Sequence, residues 1–231
     1  LRMFYDMSEI LNLKNISQYF YQGKNKITVL SQLDLVLSSS QKVAVIGSSG
    51  SGKTSLLNII SLMEKPKTGS MFLLGKSISK ATDNEKSDLR KANIGYVHQK
   101  NSLLMEFTAY ENIYLSLLIN NYNKKYAKEK TMHLLEKVNM THRHSHKPAN
   151  LSGGEQQRIA IARAISNDPE IIVADEPTGN LDDKNSHLII DELSNITEEN
   201  HSTLVLATHD SKIAKKMNTI FELNDNRLKI I

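Results

Sequence analysis

Between the apolar run Val43–Ile46 and the periodic segment Ser55–Ile60 stands Gly47-Ser48-Ser49-Gly50-Ser51-Gly52-Lys53-Thr54. Strand, glycine-rich turn and helix in that order confine the chain to an α/β fold with a phosphate cradle at the turn. The glycines let the backbone turn tightly and aim N–H groups at anionic oxygens, and the helix opening at Thr54 adds its positive dipole end there. Lys53 offers a point charge to outer phosphates, and the Thr54 hydroxyl is placed to ligate magnesium. A flexible serine–glycine turn is the plainer alternative, and it leaves the flanking strand and helix patterns unexplained. The expected phosphate-binding set runs from Gly47 through Ser55.

Length and charge bound the rest. With 231 residues the chain has enough for one large or two small domains and a substantial core. No apolar run approaches the roughly 18 residues of a membrane-spanning helix. Leu1 to Ile16 is interrupted by Asp6, Ser8, Glu9 and Asn12, has no signal-peptide core, and offers Met7 as a start. Cysteine is absent, which excludes disulfides and fits a reducing compartment. The net charge of +4 is mild, and much of the excess lies in Lys124, Lys125, Lys128, Lys130, Lys137, Arg143 and Lys147. A solvated helix face is the plain reading of that segment; an anionic membrane surface or nucleic acid is the sharper one.

Val43–Ile46, Ile171–Ala174 and Leu204–Ala207 read as buried parallel strands, each followed by polar residues and then a helical pattern. Such an arrangement gathers a site at the carboxyl ends of the strands. Ile10–Ile16, Leu33–Leu37 and Met71–Leu74 predict a smaller antiparallel layer, with Pro66–Gly69 as a turn. From Thr108 to Ser166 the pattern becomes helical. Thr108 and Glu111 form a capping box, Lys124–Val138 is a basic amphipathic helix, and a third helix runs from Gly153 to Ile165. His142, His144 and His146 alternate before Pro148, a spacing that on an extended segment could share a metal. With no acidic or cysteine partner nearby, a solvated connector is the reading adopted.

A second constellation begins at Leu151. Ser152 and Glu155 make another capping box, but that does not account for Gly153 and Gly154 in the first turn, where each glycine costs about 1 kcal/mol relative to alanine. A ligand approaching bare backbone would justify them. Ile171–Ala174 then runs into adjacent carboxylates: Asp175 suits a magnesium-side role and Glu176 a base that activates water. Leu204–Ala207 leads to a lone histidine, His209, at the same sheet edge as the phosphate loop.

Together these residues resemble the ATP-binding cassette ATPases, the motor subunits of ABC transporters, over essentially the whole chain and in the family's motif order. Gly47–Thr54 matches the Walker A loop, Ile171–Glu176 the Walker B strand and Leu151–Glu155 the family signature. Gln99, after Ile94–His98, matches the Q-loop, Gly179–Asp182 the D-loop, and His209 the switch histidine. The resemblance implies an α/β fold: a P-loop NTPase (RecA-like) core with a small antiparallel β subdomain and a helical subdomain. One cassette would span 1–231, with 1–98 and 159–231 as the nucleotide-binding core and 99–158 as the mostly helical part.

The resemblance also implies ATP and Mg2+ as cofactors. Lys53 and the loop amides would hold the β- and γ-phosphates, while Thr54 and Gln99 ligate magnesium and Asp175 supports it. Glu176 would polarise the attacking water, and His209 would contact the γ-phosphate. The family stacks an aromatic on adenine; Tyr19, Phe20 and Tyr21 qualify, and counting back from Val29 and Leu30 selects Phe20. Two copies would pack head to tail as a homodimer, each ATP lying between the Walker A loop of one and Ser152, Gly153 and Gly154 of the other, with Asp182 in the nucleotide set.

The stretch between Thr54 and Leu151 has no room for a long coiled coil, which argues against the DNA-repair and chromosome-organising relatives and against a nucleic-acid partner. A separate integral-membrane permease must then dock near Gln99 and the helical part, placing the chain peripherally on the cytoplasmic face of a bacterial inner membrane. Asp175–Asp182 is similar to the subgroup of lipoprotein-releasing, macrolide-exporting and cell-division ATPases. Glu106–Asn112, the ending Phe221–Leu228 and the loop Gln22–Thr28 lean toward lipoprotein release. Macrolide or peptide export, or a regulatory ATPase that signals without moving cargo, are the alternatives. Ser40 and Gln41 stand where the family usually has Gly-Glu, and Met105 where proline is common; only the latter touches the expected permease contact.

Overall fold

A computed structural model of the chain describes residues 9–179 and 181–231; the expected start at Met7 and the Asn180 position of the D-loop lie outside the described residues. The chain opens with two 14-residue strands, β1 (Glu9–Gln22) and β2 (Asn25–Ser38), paired antiparallel through to Gln22 and Asn25. Gly23, at φ +62°, supplies the turn. The expected strands Ile10–Ile16 and Leu33–Leu37 are the buried halves of this hairpin, and the expected loop Gln22–Thr28 is mostly strand. Burial stops short of the tip, so the apolar alternation fades there; pairing continues because Tyr19, Phe20 and Tyr21 lie opposite Thr28, Ile27 and Lys26, residues well suited to cross-strand contact.

The second layer starts with β3 (Lys42–Ile46), which leads through the glycine-rich loop into α1 (Lys53–Ile60). The short β4 (Thr68–Leu73) and β5 (Lys76–Ser77) complete an antiparallel sheet in the order β2-β1-β4-β5. Helix α2 (Asp83–Asn93) and strand β6 (Ile94–Val97) follow, neither of them assigned from the pattern. The helices α3 (Ala109–Ile119), α4 (Lys124–Lys137) and α5 (Gly153–Ala164) match the expected segments to within a residue or so. Then come β7 (Ile171–Asp175), α6 (Asp183–Glu199), β8 (Thr203–Ala207), α7 (Ser211–Ala214), β9 (Thr219–Asn224) and β10 (Arg227–Ile230). The main sheet has the order β10-β9-β3-β8-β7-β6, parallel except for β10. The β9–β10 hairpin, expected from the C-terminal sequence, turns on Asp225 and Asn226, both with positive φ.

Strand alternation divides the interior in two. Ala44, Ile172, Ala174, Leu204 and Leu206 point toward α3, α4, α5 and α6. Val43, Val45, Ile171, Val173, Val205 and Ala207 point toward α1 and the antiparallel sheet. Each strand is buried on both faces, which is why it reads as a continuous apolar run. Helix α5 is pressed against β6 with no room for a side chain between them: a Cβ on Gly95 would collide with the Ala164 carbonyl. The helix also runs unbroken across position 158, where the chain was divided into helical part and core.

The basic segment is only partly a solvated face. Lys130 pairs with Asp168 at 2.5 Å and Lys137 with Glu199 at 3.0 Å, tying α4 to the loop before β7 and to the end of α6, while Arg143 pairs with Glu155 at 3.0 Å. The three alternating histidines do not lie on an extended segment. They fall around a single tight turn at Thr141–Arg143, where His144 Nδ1 sits 3.0 Å from the Thr141 carbonyl and His146 Nε2 lies 3.3 Å from Arg143. Among the described residues no cluster of three or more His, Asp or Glu side chains could hold a metal unaided.

Candidate active site

The glycine-rich loop is shaped by what surrounds it. A Cβ on Gly47 would lie 2.6 Å from the Leu223 carbonyl oxygen, and one on Gly52 would lie 2.7 Å from Val29 Cγ1. Gly50 has open space around it but sits at φ +80°, and Gly52, the N-cap of α1, at φ +105°. The loop therefore winds inside a collar formed by β2 and β9, with its outer side bare. Lys53, 6% exposed, donates from Nζ to the Gly47 carbonyl at 2.8 Å and the Ser48 carbonyl at 3.0 Å. Ser51 Oγ is buried with no hydrogen-bond partner among the described residues.

Parallel strands bring the remaining groups to this loop. Because β8 lies between β3 and β7, and β6 flanks β7, their carboxyl ends deliver Gln99, Asp175, Glu176 and His209 to one edge. Thr54 Oγ1 donates to Asp175 Oδ2 at 3.0 Å. Burial holds the Asp175 carboxyl above the usual range, opposed by the Thr54 hydrogen bond and reinforced by the neighbouring Glu176 charge. Glu176 stands at the meeting point. Its Oε1 is 3.8 Å from Lys53 Nζ, and its Oε2 is 3.3 Å from His209 Nδ1 and 3.4 Å from Gln99 Nε2. Its backbone is left-handed, φ +43°, fixed by N–H donation to the Ala207 carbonyl and acceptance from the Gly179 N–H, both at 3.0 Å. A non-glycine residue in that region stores about 1–3 kcal/mol, a strain that neighbouring structure must impose.

A cleft of about 290 Å³ opens between the loop and these residues, lined by Ser49, Gly50, Gly52, Lys53, Thr54, Gln99, Asp175 and Glu176. A smaller hollow of about 140 Å³ lies on the other side of Glu176, against Gly179, Thr208 and His209. The arrangement offers an acceptor carboxylate, a cationic donor, backbone N–H groups at a helix start, and hydroxyl and carboxylate oxygens side by side.

Other expected site residues lie elsewhere. Ser152 caps α5: its N–H donates to Glu155 Oε2 at 2.8 Å, and its Oγ accepts from the Glu155 N–H at 3.3 Å. A Cβ on Gly153 would touch Leu181 Cδ2 at 3.2 Å, whereas one on Gly154 would meet nothing within 4 Å. The chain's own packing therefore makes no demand for glycine at 154. Asp182 caps α6, accepting from Asn185 N at 2.9 Å and Asn185 Nδ2 at 2.6 Å. Of the aromatic trio, Tyr19 is engaged by Lys26, 4.0 Å from its ring centre, and by Tyr21 edge-on at 5.8 Å. Phe20 is 45% exposed on the opposite face of the hairpin.

Several contributors escaped the sequence reading. Val29 and Leu223 shape the loop, and Arg163 and Gln156 of α5 bind the segment after Gln99; nothing local in sequence marks such contacts. Asp210 was within reach: as the N-cap of α7 it accepts from Lys212 N at 2.7 Å, fixing the strand end that carries His209.

The family model for ABC transporters matches residues 30–179. The chain belongs to the ABC transporter family. The cassette is 39% identical over 221 residues to the lipoprotein-releasing system ATP-binding protein LolD of Pseudoalteromonas translucida, covering 96% of this chain and 95% of that protein. It is 40% identical over 226 residues to the LolD protein of Francisella tularensis subsp. tularensis, with 96% of each covered. Among solved structures it is similar to the dimeric ATP-binding cassette MJ0796, in one case bound to ADP and Pi. There the TM-score is 0.88 at 34% identity, covering 95% of this chain and 97% of that one.

The cassette is an ATPase with the α/β fold of that family. Its loop suits the phosphates of a nucleotide: the outer side of Gly50 is open, Ser51 Oγ is an unspent buried group, and Gly52, Lys53 and Thr54 at the start of α1 line the cleft. The Thr54 hydroxyl and Asp175 carboxylate are the hard oxygen donors that magnesium takes when substrate phosphates complete its shell.

Proposed function

We propose that this ATPase drives the release of lipoproteins from a bacterial inner membrane, docked on the cytoplasmic face of a separate integral-membrane permease. End-to-end similarity to LolD proteins carries this reading. None of the helices among the described residues is long and apolar enough to cross a membrane; in this reading the permease supplies the membrane-spanning part. The exposed Leu104, Met105 and Phe107, just beyond the Gln99 segment, support a docking face there. In this reading the division into core and helical part (1–98 with 159–231, and 99–158) is functional: the core burns ATP, and the helical part meets the permease.

Each chain residue then has a role. Lys53 moves its charge from the loop carbonyls to the outer phosphates, and the amides of Gly47–Ser55 cradle them. Thr54, Asp175 and Gln99 hold Mg2+, which supplies neutralisation of charge building on the phosphate oxygens. Glu176 accepts the hydrogen bond of the attacking water, while His209 and Gln99 orient its carboxylate. Phe20 stacks on adenine. Ser152, Gly153 and Gly154 do not line their own cleft, and the bare surface of Gly154 suits approach by a partner's nucleotide. Two copies packed head to tail complete both centres, with Asp182 at the junction.

Purification of the tagged chain from native membranes tests the transport reading. Recovery of a permease with a large periplasmic domain that binds lipoprotein is the expected result, and recovery of a permease that recruits cell-wall hydrolase activators would replace it.

A further inference from the structure

Outside the cleft, one polar network joins two segments that the proposed function assigns to different nucleotides. The Gln99 segment continues into Asn101 and Ser102, both at positive φ, +39° and +48°. Their carbonyls converge on one side chain of α5: Arg163 donates from Nη1 to Ser102 O at 2.8 Å and from Nη2 to Asn101 O at 3.0 Å. Burial depresses the Arg163 pKa without discharging it, so the guanidinium depends on those carbonyls for solvation.

Two turns earlier on the same helix sits a second clasp. Gln156 accepts from Asn101 Nδ2 at 3.4 Å and donates to the Leu151 carbonyl at 3.1 Å and the Pro148 carbonyl at 3.0 Å. Leu151 immediately precedes Ser152, the cap of α5. The far end of α5 is pressed on β6 at Gly95, so the helix cannot slide independently of the strand that carries Gln99.

We propose that Gln156 and Arg163 are positioning residues that make the Gln99 segment and the Ser152–Gly154 turn of one protomer move as one unit. The inference rests on the composite-dimer reading above. Under it, Gln99 serves the protomer's own nucleotide and Ser152 the partner's. The clasp is therefore the intramolecular link by which occupancy of one centre sets the geometry of the other.

The test compares Arg163→Ala, Arg163→Lys and Gln156→Met with the unmodified protein as dimeric holoenzyme on its permease. It reads ATP turnover against ATP concentration and nucleotide affinity of the isolated chain. For Gln156→Met and Arg163→Ala, affinity of the isolated chain stays within about twofold, turnover falls by up to about a hundredfold, and the Hill coefficient drops from near 2 toward about 1. Arg163→Lys, with one donor head in place of a fork, falls between. A purely structural role would lower the active fraction and leave the Hill coefficient in place, and that result overturns the proposal. So does an unchanged Gln156→Met, even if Arg163→Ala fails to fold. The composite-dimer reading fails separately: the unmodified protein would itself show a Hill coefficient of about 1 and activity proportional to monomer.

Discussion

Glu176 is held by its backbone before its side chain does anything. Two backbone hydrogen bonds pin it in the left-handed region, and the carboxylate is pointed at Lys53, Gln99 and His209 as a result. Replacing it by glutamine keeps the shape and removes the carboxylate that the proposed function makes the base. Glu176→Gln should retain ATP binding and form a stable ATP-dependent dimer, while phosphate release falls by about 10²–10⁴-fold. Wild-type release from that variant, followed alongside gel filtration, would remove Glu176 from its role. A contrasting pair of glycines tests the turn at the head of α5. Gly154 is in a helix with open space around it, so Gly154→Ala should stabilise the fold by up to about 1 kcal/mol in urea unfolding and yet impair turnover. Gly52→Ala, strained in φ and facing Val29, should destabilise by about 1–3 kcal/mol. The first of these was legible from sequence, since two glycines contradict their own capping box. The second was legible only as a motif: Val29 and Leu223, which make the collar, are remote in sequence and carry no pattern that announces contact.

Among the elements, helix starts were the most readable feature, because a capping box is a local bargain between residues three apart. Thr108 with Glu111 and Ser152 with Glu155 were both assigned and both form. Thr82 with Glu85 has the same signature and caps α2, but α2 buries none of its residues fully, so no apolar periodicity drew attention to it. Strand β6 was missed for a related reason: Gly95 interrupts its apolar run. The three capping glutamates have carboxyls held below the ordinary range, each chiefly by a hydrogen bond from the cap residue's backbone N–H. A depressed folded pKa adds stability above the unfolded carboxylate pKa, and that stability disappears as pH falls through the folded value. Thermal stability should therefore decline on acidification through and below the usual carboxylate range. A chain with Glu85, Glu111 and Glu155 all changed to glutamine should lose less of its stability between neutral and acid pH. An identical acid profile for the two proteins would contradict this. Asp175 and Glu192 act in the opposite sense. Burial raises both, so each takes stability away as pH climbs from its ordinary value to the raised one.

For the whole molecule, the decisive expectation concerns two copies. The Ser152–Gly154 turn does not line the cleft of its own chain, and under the proposed function a complete centre needs a partner. Mixing Lys53→Ala with Ser152→Ala protein should restore about one working centre per mixed pair, with up to about half of the unmodified turnover per mixed dimer and less where the two centres are coupled. Activity that stays at the sum of the two crippled proteins would sink the arrangement. The doubly buried sheet, the antiparallel layer and the helical part were all foreseeable in outline. The inward ion pairs of α4 were not, because Lys130 and Lys137 find Asp168 and Glu199 only after folding. Phe20 hangs near the end of a ribbon whose tip is exposed, whereas Glu176 directly follows the buried strand β7 and its N–H is tied to Ala207 of β8. Phe20→Ala should accordingly weaken ATP binding by about 1–3 kcal/mol, the range seen for base–aromatic stacking, with melting temperature and single-turnover rate unchanged; equal affinity by calorimetry would acquit the ring. On that reading the nucleotide base is gripped by a part of the molecule whose alteration costs affinity and leaves folding alone, while the hydrolytic group sits where the central sheet feels any change.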